Sequence, residues 1–180
     1  MADSPYIIRF IQLSPGDHTF DFRIADSFFD QREESIIRRA AVDVHAVLHK
    51  TANSISLDLS FSGAVTVDCV RCLEPFSLPV DFQRSLLVRM VETPSEEEDD
   101  EDAIQVSKTA HDIDLSRALY DFLTLAVPYS PVHPDLENGS LGCDPEVLQH
   151  IHQGGSIEEH PDGEAEGDDR WSILRKIKFN

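Results

Sequence analysis

Apolar and polar side chains alternate through much of the first half of this chain, and alternation of period two predicts half-buried strands. Val42, Val44, Ala46 and Leu48 occupy even positions. After Thr51-Ala52-Asn53-Ser54 the apolar positions become odd: Ile55, Leu57, Leu59 and Phe61, continuing in the same parity through Val65, Val67 and Cys69. That is one strand of about 15 residues, roughly 50 Å if straight, longer than a small domain buries flat. Gly63 at its centre predicts a kink or bulge that lets it curl. A turn over residues 71–75 leads to Phe76, Leu78, Val80 and Phe82, then Leu86, Val88 and Met90. Three long antiparallel strands in a meander follow from this pattern. Upstream, residues 6–10 and 18–24 flank the turn Ser14-Pro15-Gly16-Asp17, and Phe20, Phe22 and Ile24 set one buried face. The connector Asp26-Ser27-Phe28-Phe29-Asp30 is too short to assign.

In the second half the period changes. Residues 104–106 suit an edge strand. Leu115, Leu119, Phe122, Leu123 and Ala126 then line one face of a helix, with Asp112 and Asp114 as candidate N-caps. Pro128 disfavours helical geometry at Val127 and ends it. Residues 129–142 read as a loop, 145–151 as a short helix capped by Asp144, and 170–179 as a final amphipathic helix. No internal repeat is visible. The predicted class is α+β: a curled antiparallel sheet or partial barrel with a packed helix and a short C-terminal helix.

Charge divides the chain further. Its 180 residues carry 34 acidic and 15 basic side chains, a net −19. Residues 92–102 hold eight acids and no base, and 158–169 hold seven acids. Such runs repel themselves and bury little apolar surface, so both are expected to be disordered. The expected organisation is a single α+β domain over 1–152 with an acidic loop at about 92–103. An acidic linker over 153–169 and a basic helix over 170–180 complete it. An acidic surface repels phosphate backbones, which argues against indiscriminate nucleic-acid binding. No apolar run has the length of a membrane span, the N-terminus lacks signal-peptide features, and three cysteines do not suit a secreted disulfide framework. A cytoplasmic chain is expected.

Most catalytic signatures are missing: no phosphate cradle, no nucleophile elbow, no HExxH. The best chemical constellation is Cys69-Val70-Arg71-Cys72. Two thiolates at CxxC spacing on a turn can converge on one ion, making half of a structural zinc site. Cys143 and His133 are the attractive further ligands; the bland alternative is buried free thiols. A redox role is disfavoured, because a thioredoxin-like CxxC opens a helix. His150, His152 and His160 lie in a Gly-rich acidic stretch that reads as a tail, and His45 and His49 take the polar parity of a strand. Arg38, Arg39, Arg71, Arg84 and Arg89 would form a basic patch if they shared a face; otherwise they are ordinary surface arginines. In the terminal helix Trp171 lies among Arg170, Arg175, Lys176 and Lys178, a docking element for RNA or protein, or a segment that folds back on the acidic domain.

The run Gly63-Ala64-Val65-Thr66-Val67-Asp68-Cys69-Val70-Arg71-Cys72-Leu73-Glu74-Pro75-Phe76 closely resembles the signature of the YceD-like family, named for large ribosomal RNA subunit accumulation. Asp112-Ile113-Asp114-Leu115 through Val127-Pro128 is similar to that family's helix block. Val132-His133-Pro134, Gly139-Ser140-Leu141 and Asp169-Arg170-Trp171 look like its variant without a cysteine-rich tail. The resemblance implies a non-enzymatic, bacterial-type factor needed for normal accumulation of large-subunit ribosomal RNA. It supplies no catalytic residues. In other branches extra cysteines after the helix supply what looks like the second half of a zinc site, of which only Cys143 stands here. The expected partners are precursor RNA or a basic ribosomal protein, contacted by Arg71 and the terminal Arg170, Trp171, Arg175, Lys176 and Lys178. The rival expectation is an acidic chaperone for a basic protein, without RNA contact.

Overall fold

The computed structural model describes residues 5–30, 35–94, 103–136 and 142–154, with the side chains of 151–154 left aside. The alternating segments pair as expected. Strands β2 (Gly16–Ala25), β3 (Ile37–Lys50), β4 (Ile55–Asp68) and β5 (Pro75–Val91) run antiparallel to their neighbours, and β6 (Ala103–Ser107) adds to β5. The result is a five-stranded sheet in the order β2-β3-β4-β5-β6, curled but not closed. The meander is one antiparallel strand longer than the three long strands expected, because β2 extends over ten residues and pairs along its whole length with β3.

Three details differ from the alternation pattern. Strand β1 (Ile7–Ile8) does not pair with β2 across the Ser14–Gly16 turn; it pairs with β7 (Ile113–Asp114) as a separate two-stranded ribbon. A short 3-10 turn over Phe10–Gln12 shortens the strand that the sequence suggests. The added strand β6 runs parallel to β5, with Ala103 opposite Leu87 and Ser107 opposite Val91, so the two do not form a hairpin. At Gly63 the β3–β4 register is unbroken, with Gly63 opposite Val42, while the register shift of this pair lies between Ile37 and Arg39. Gly63 is nonetheless special. Its φ is +150°, and a Cβ there would fall onto the Ala41 carbonyl oxygen and 2.8 Å from the Val42 Cα. Gly63 holds a backbone conformation that a side chain would obstruct.

One sheet face is the core. Val42, Val44, Ala46 and Leu48 of β3 and Ile55, Leu57, Leu59, Phe61, Val65 and Val67 of β4 are all buried. Each larger side chain of this set stabilises by about 1.5–3 kcal/mol relative to exposure. Helix α1 (Ser116–Ala126) presents Leu119, Phe122 and Leu123 to the interior. Phe122 meets Phe61 edge-on, with ring centroids 6.2 Å apart, and Phe61 stacks on Phe82 at 4.5 Å. Asp114 starts the helix by accepting hydrogen bonds from the Ser116 amide (2.9 Å) and hydroxyl. The expected stop holds: Val127 is extended, at ψ 125°.

The opposite face is a ladder of exposed polar pairs. Arg23 pairs with Asp43 at 2.8 Å, His45 with Asp21 at 2.7 Å, and His49 bridges Asp17 (2.8 Å) and Asp58 (3.0 Å). Ser85 donates to Asp58 at 2.6 Å, carrying the ladder onto a fourth strand. Pairs this exposed are each worth little.

The chain divides into two compact units, the first ending at Cys143 and the second beginning at Asp144. The second contains α2 (Pro145–Gly154), whose Glu146 amide donates to the Asp144 carboxylate at 2.8 Å, as the expected cap requires. No helix among the described residues is long and apolar enough to cross a membrane. The acidic run at 96–102, the run at 158–169 and the terminal segment with Arg170, Trp171, Arg175, Lys176 and Lys178 lie outside the described residues.

Candidate metal centre

Between β4 and β5 the chain turns through Cys69-Val70-Arg71-Cys72-Leu73-Glu74. Two backbone bonds close the turn: the Leu73 amide donates to the Cys69 carbonyl at 2.8 Å, and the Cys69 amide to the Glu74 carbonyl at 3.0 Å. Closure forces Leu73 into the left-handed region, φ +63°, where a side chain is costly. It also aims both cysteine side chains inward, and Cys69 and Cys72 are buried.

A loop over residues 129–136 then comes alongside. The Val70 amide donates to the Pro131 carbonyl at 2.9 Å, which ties loop to turn and brings His133 to the sulfurs. The His133 ring also packs on Phe76, with centroids 4.8 Å apart. The third approach depends on Gly142. A Cβ at that position would fall onto the Pro134 carbonyl oxygen and 3.3 Å from the His133 Cβ, so only glycine lets the chain pass close enough to deliver Cys143.

Four donors meet in consequence. Cys69 Sγ lies 3.7 Å from Cys143 Sγ, Cys72 Sγ 3.4 Å from His133 Nδ1, and Cys143 Sγ 3.8 Å from the same nitrogen. All four ligand atoms fall within 4.8 Å of one another. Tetrahedral zinc with bonds of about 2.3 Å to sulfur places its ligand atoms about 3.8 Å apart. The donor set therefore has both the chemistry and the spacing of a Cys3His site.

The thiols have unlike proton affinities. Burial pushes Cys69 up, but hydrogen bonds from the Cys72, His133 and Arg71 backbone amides and from the His133 side chain outweigh it, bringing the thiol down to about 6. Cys143 is held above its ordinary value by burial and by the neighbouring Cys69 and Cys72. The Arg71 guanidinium donates toward Cys143 Sγ at 3.9 Å, a long contact that places positive charge beside the thiolates. Arg71, expected as a partner contact, directs a guanidinium nitrogen at the cysteine cluster.

Other expected site residues do not converge. Arg38 pairs with Asp68, Arg84 lies 5.3 Å over the Phe82 ring on the core-facing parity, and Arg89 takes the opposite parity of β5. Arg84 and Arg89 therefore lie on opposite faces of β5. Sequence reasoning named all four ligands but missed Gly142, Pro131 and the left-handed Leu73 that bring them together. Gly-Cys at 142–143 was the available signal.

A curled sheet with one packed helix carries, at its β4–β5 turn, three thiols and an imidazole with the donor set of a metal centre. The model of the YceD family, described as "Large ribosomal RNA subunit accumulation protein YceD", matches residues 57–178, about two thirds of the chain and all four ligands. The chain belongs to this family. No curated protein and no solved structure matches it.

Proposed function

We propose that this protein supports accumulation of large-subunit ribosomal RNA as a non-catalytic binding factor in the cytoplasm, with a structural zinc ion at Cys69, Cys72, His133 and Cys143. Family membership carries the biogenesis reading; the match spans the knuckle, the helix and the basic terminal segment. Zinc at this site would neutralise the thiolates and cross-link three stretches of chain distant in sequence. Its contribution is to folding.

Charge favours a basic ribosomal protein as the direct partner. The chain carries −19, and Arg23, Arg38, Lys108 and Arg117 of the described residues already sit against carboxylates. A net charge of this sign repels a phosphate backbone and attracts a cationic protein. Precursor RNA is the second reading, favoured by four cations over residues 170–180, namely Arg170, Arg175, Lys176 and Lys178, beside Trp171.

Depletion in the source organism should raise the ratio of precursor to mature large-subunit RNA; an unchanged ratio would count against the biogenesis role. Crosslinking in cells separates the two partners, since attached protein supports the first and attached RNA the second. Elemental analysis of the purified chain should find zinc stoichiometric with the four-ligand site. A metal-free, fully stable protein would remove zinc from the proposal.

A further inference from the structure

Leu73 holds a backbone conformation that its own side chain opposes. Its φ of +63° is left-handed, a geometry that glycine adopts freely and leucine only at a cost. The side chain nevertheless gives nothing to the core, since the residue is 75% exposed. Backbone strain kept at an exposed apolar residue points to a contact made outside the fold. Its surroundings agree. Val70 of the same turn is 55% exposed, Val132 is exposed, and Tyr129 is fully so. The bond from the Val70 amide to the Pro131 carbonyl holds turn and loop together, so these apolar side chains gather at the knuckle. On α1, by contrast, Leu125 is the one exposed large apolar side chain, beside a trough between β6 and α1 lined in part by Asp114, Arg117 and Asp121.

Charge selects the occupant. Over residues 69–76 and 129–136 the only cationic side chain, His133 aside, is Arg71, and its guanidinium is directed at Cys143 Sγ. Glu74 and Asp135 are exposed, and neither pairs with a cation among the described residues. The apolar tip therefore has an acidic rim. We propose that the tip of the knuckle, formed by Val70, Leu73, Tyr129 and Val132, is a docking surface for a cationic segment of a partner protein. Apolar side chains of that segment cover Leu73, and its lysines or arginines face Glu74 and Asp135. This rests on the reading that the direct partner is a basic protein, and it adds which surface holds that partner. Affinity then has two separable parts, a salt-sensitive attraction and a salt-insensitive apolar anchor. The four-donor cluster gains a second consequence, because whatever fixes the turn against the loop also fixes the docking surface.

The test is an NMR titration of the full chain with a short synthetic peptide of alternating lysine and leucine. Saturable shifts at the methyls of Val70, Leu73 and Val132 and at the ring of Tyr129 are expected, weakening as salt rises. A lysine-serine peptide of equal charge and a glutamate-leucine peptide should each bind about tenfold more weakly or worse. Leu73→Gly separates contact from structure. Glycine suits the backbone there, so the variant should melt no earlier than the parent while its affinity for the lysine-leucine peptide falls about tenfold. Full affinity in Leu73→Gly, earlier melting of that variant, equal binding of either control peptide, or no saturable shift at these four residues would overturn the proposal. Shifts there with a short single-stranded RNA, and none with the peptide, would overturn it too. Failure here with a raised precursor ratio on depletion removes only the docking surface. Peptide binding with an unchanged ratio supports the surface and removes the biogenesis role.

Discussion

Two glycines and a leucine carry backbone geometry on which the close pairing of β3 with β4 and the cysteine knuckle depend. At Gly63 an added methyl would collide with the main chain of β3, at the Ala41 carbonyl. Gly63→Ala should therefore lose about 2–3 kcal/mol in urea denaturation, from strain and displaced pairing together; wild-type stability would show that the crossing relaxes. Cys143→Ser removes one ligand of four. The variant should purify with substoichiometric zinc and melt earlier than the parent, whereas unaltered zinc content would mean that another group completes the site. The CxxC pair was plain in the sequence, and His133 and Cys143 stood out as its only attractive complements. Their convergence was not legible. Sixty-one residues separate Cys72 from His133, and local spacing carries no information over that distance. The contacts that close it are the Val70–Pro131 backbone bond and the close passage of Gly142, which has no side chain to obstruct it.

Among the elements, strands with one solvated face were the easiest to read, since burial on one side imposes period two on the residues themselves. Helix α1 was legible for the same reason at its own period. Its start is set by the Asp114 carboxylate on the Ser116 amide. Asp114→Ala should cost about 1 kcal/mol, measured as a lower denaturation midpoint with unchanged slope; no change would shift the capping role to Leu115 and its surroundings. What failed was pairing. Residues 7–8 have strand character but choose Ile113 and Asp114 as partners, and β6 lies parallel to β5. A strand's own side chains specify which face is buried, not which neighbour binds its edge or in which direction.

For the whole molecule, the exposed ladder across β2 to β5 makes stability depend on pH. His49 is held above the ordinary histidine value by hydrogen bonds to Asp17 and Asp58. Its contribution is complete below about 6.5 and fades as pH rises through the raised value. Asp58 is held below the ordinary carboxylate range by Ser85 and then His49. That contribution is present above the unfolded value and is lost as pH falls through the lowered one. The ladder should thus be strongest in mildly acidic solution. NMR titration should place the His49 ring above a model histidine, and His49→Gln should flatten the thermal-stability profile near neutrality. A ring titrating at the ordinary value would remove the bridge.

On its own, the sequence determined which residues lie inside, where the helix begins and ends, how charge is parcelled along the chain, and which four side chains could share a metal. Each is settled by near neighbours through burial, capping or repulsion. Only the tertiary structure decided that those four donors meet and that a trough opens beside β6. These depend on how distant segments approach one another, and that is governed by packing of the whole sheet against one helix.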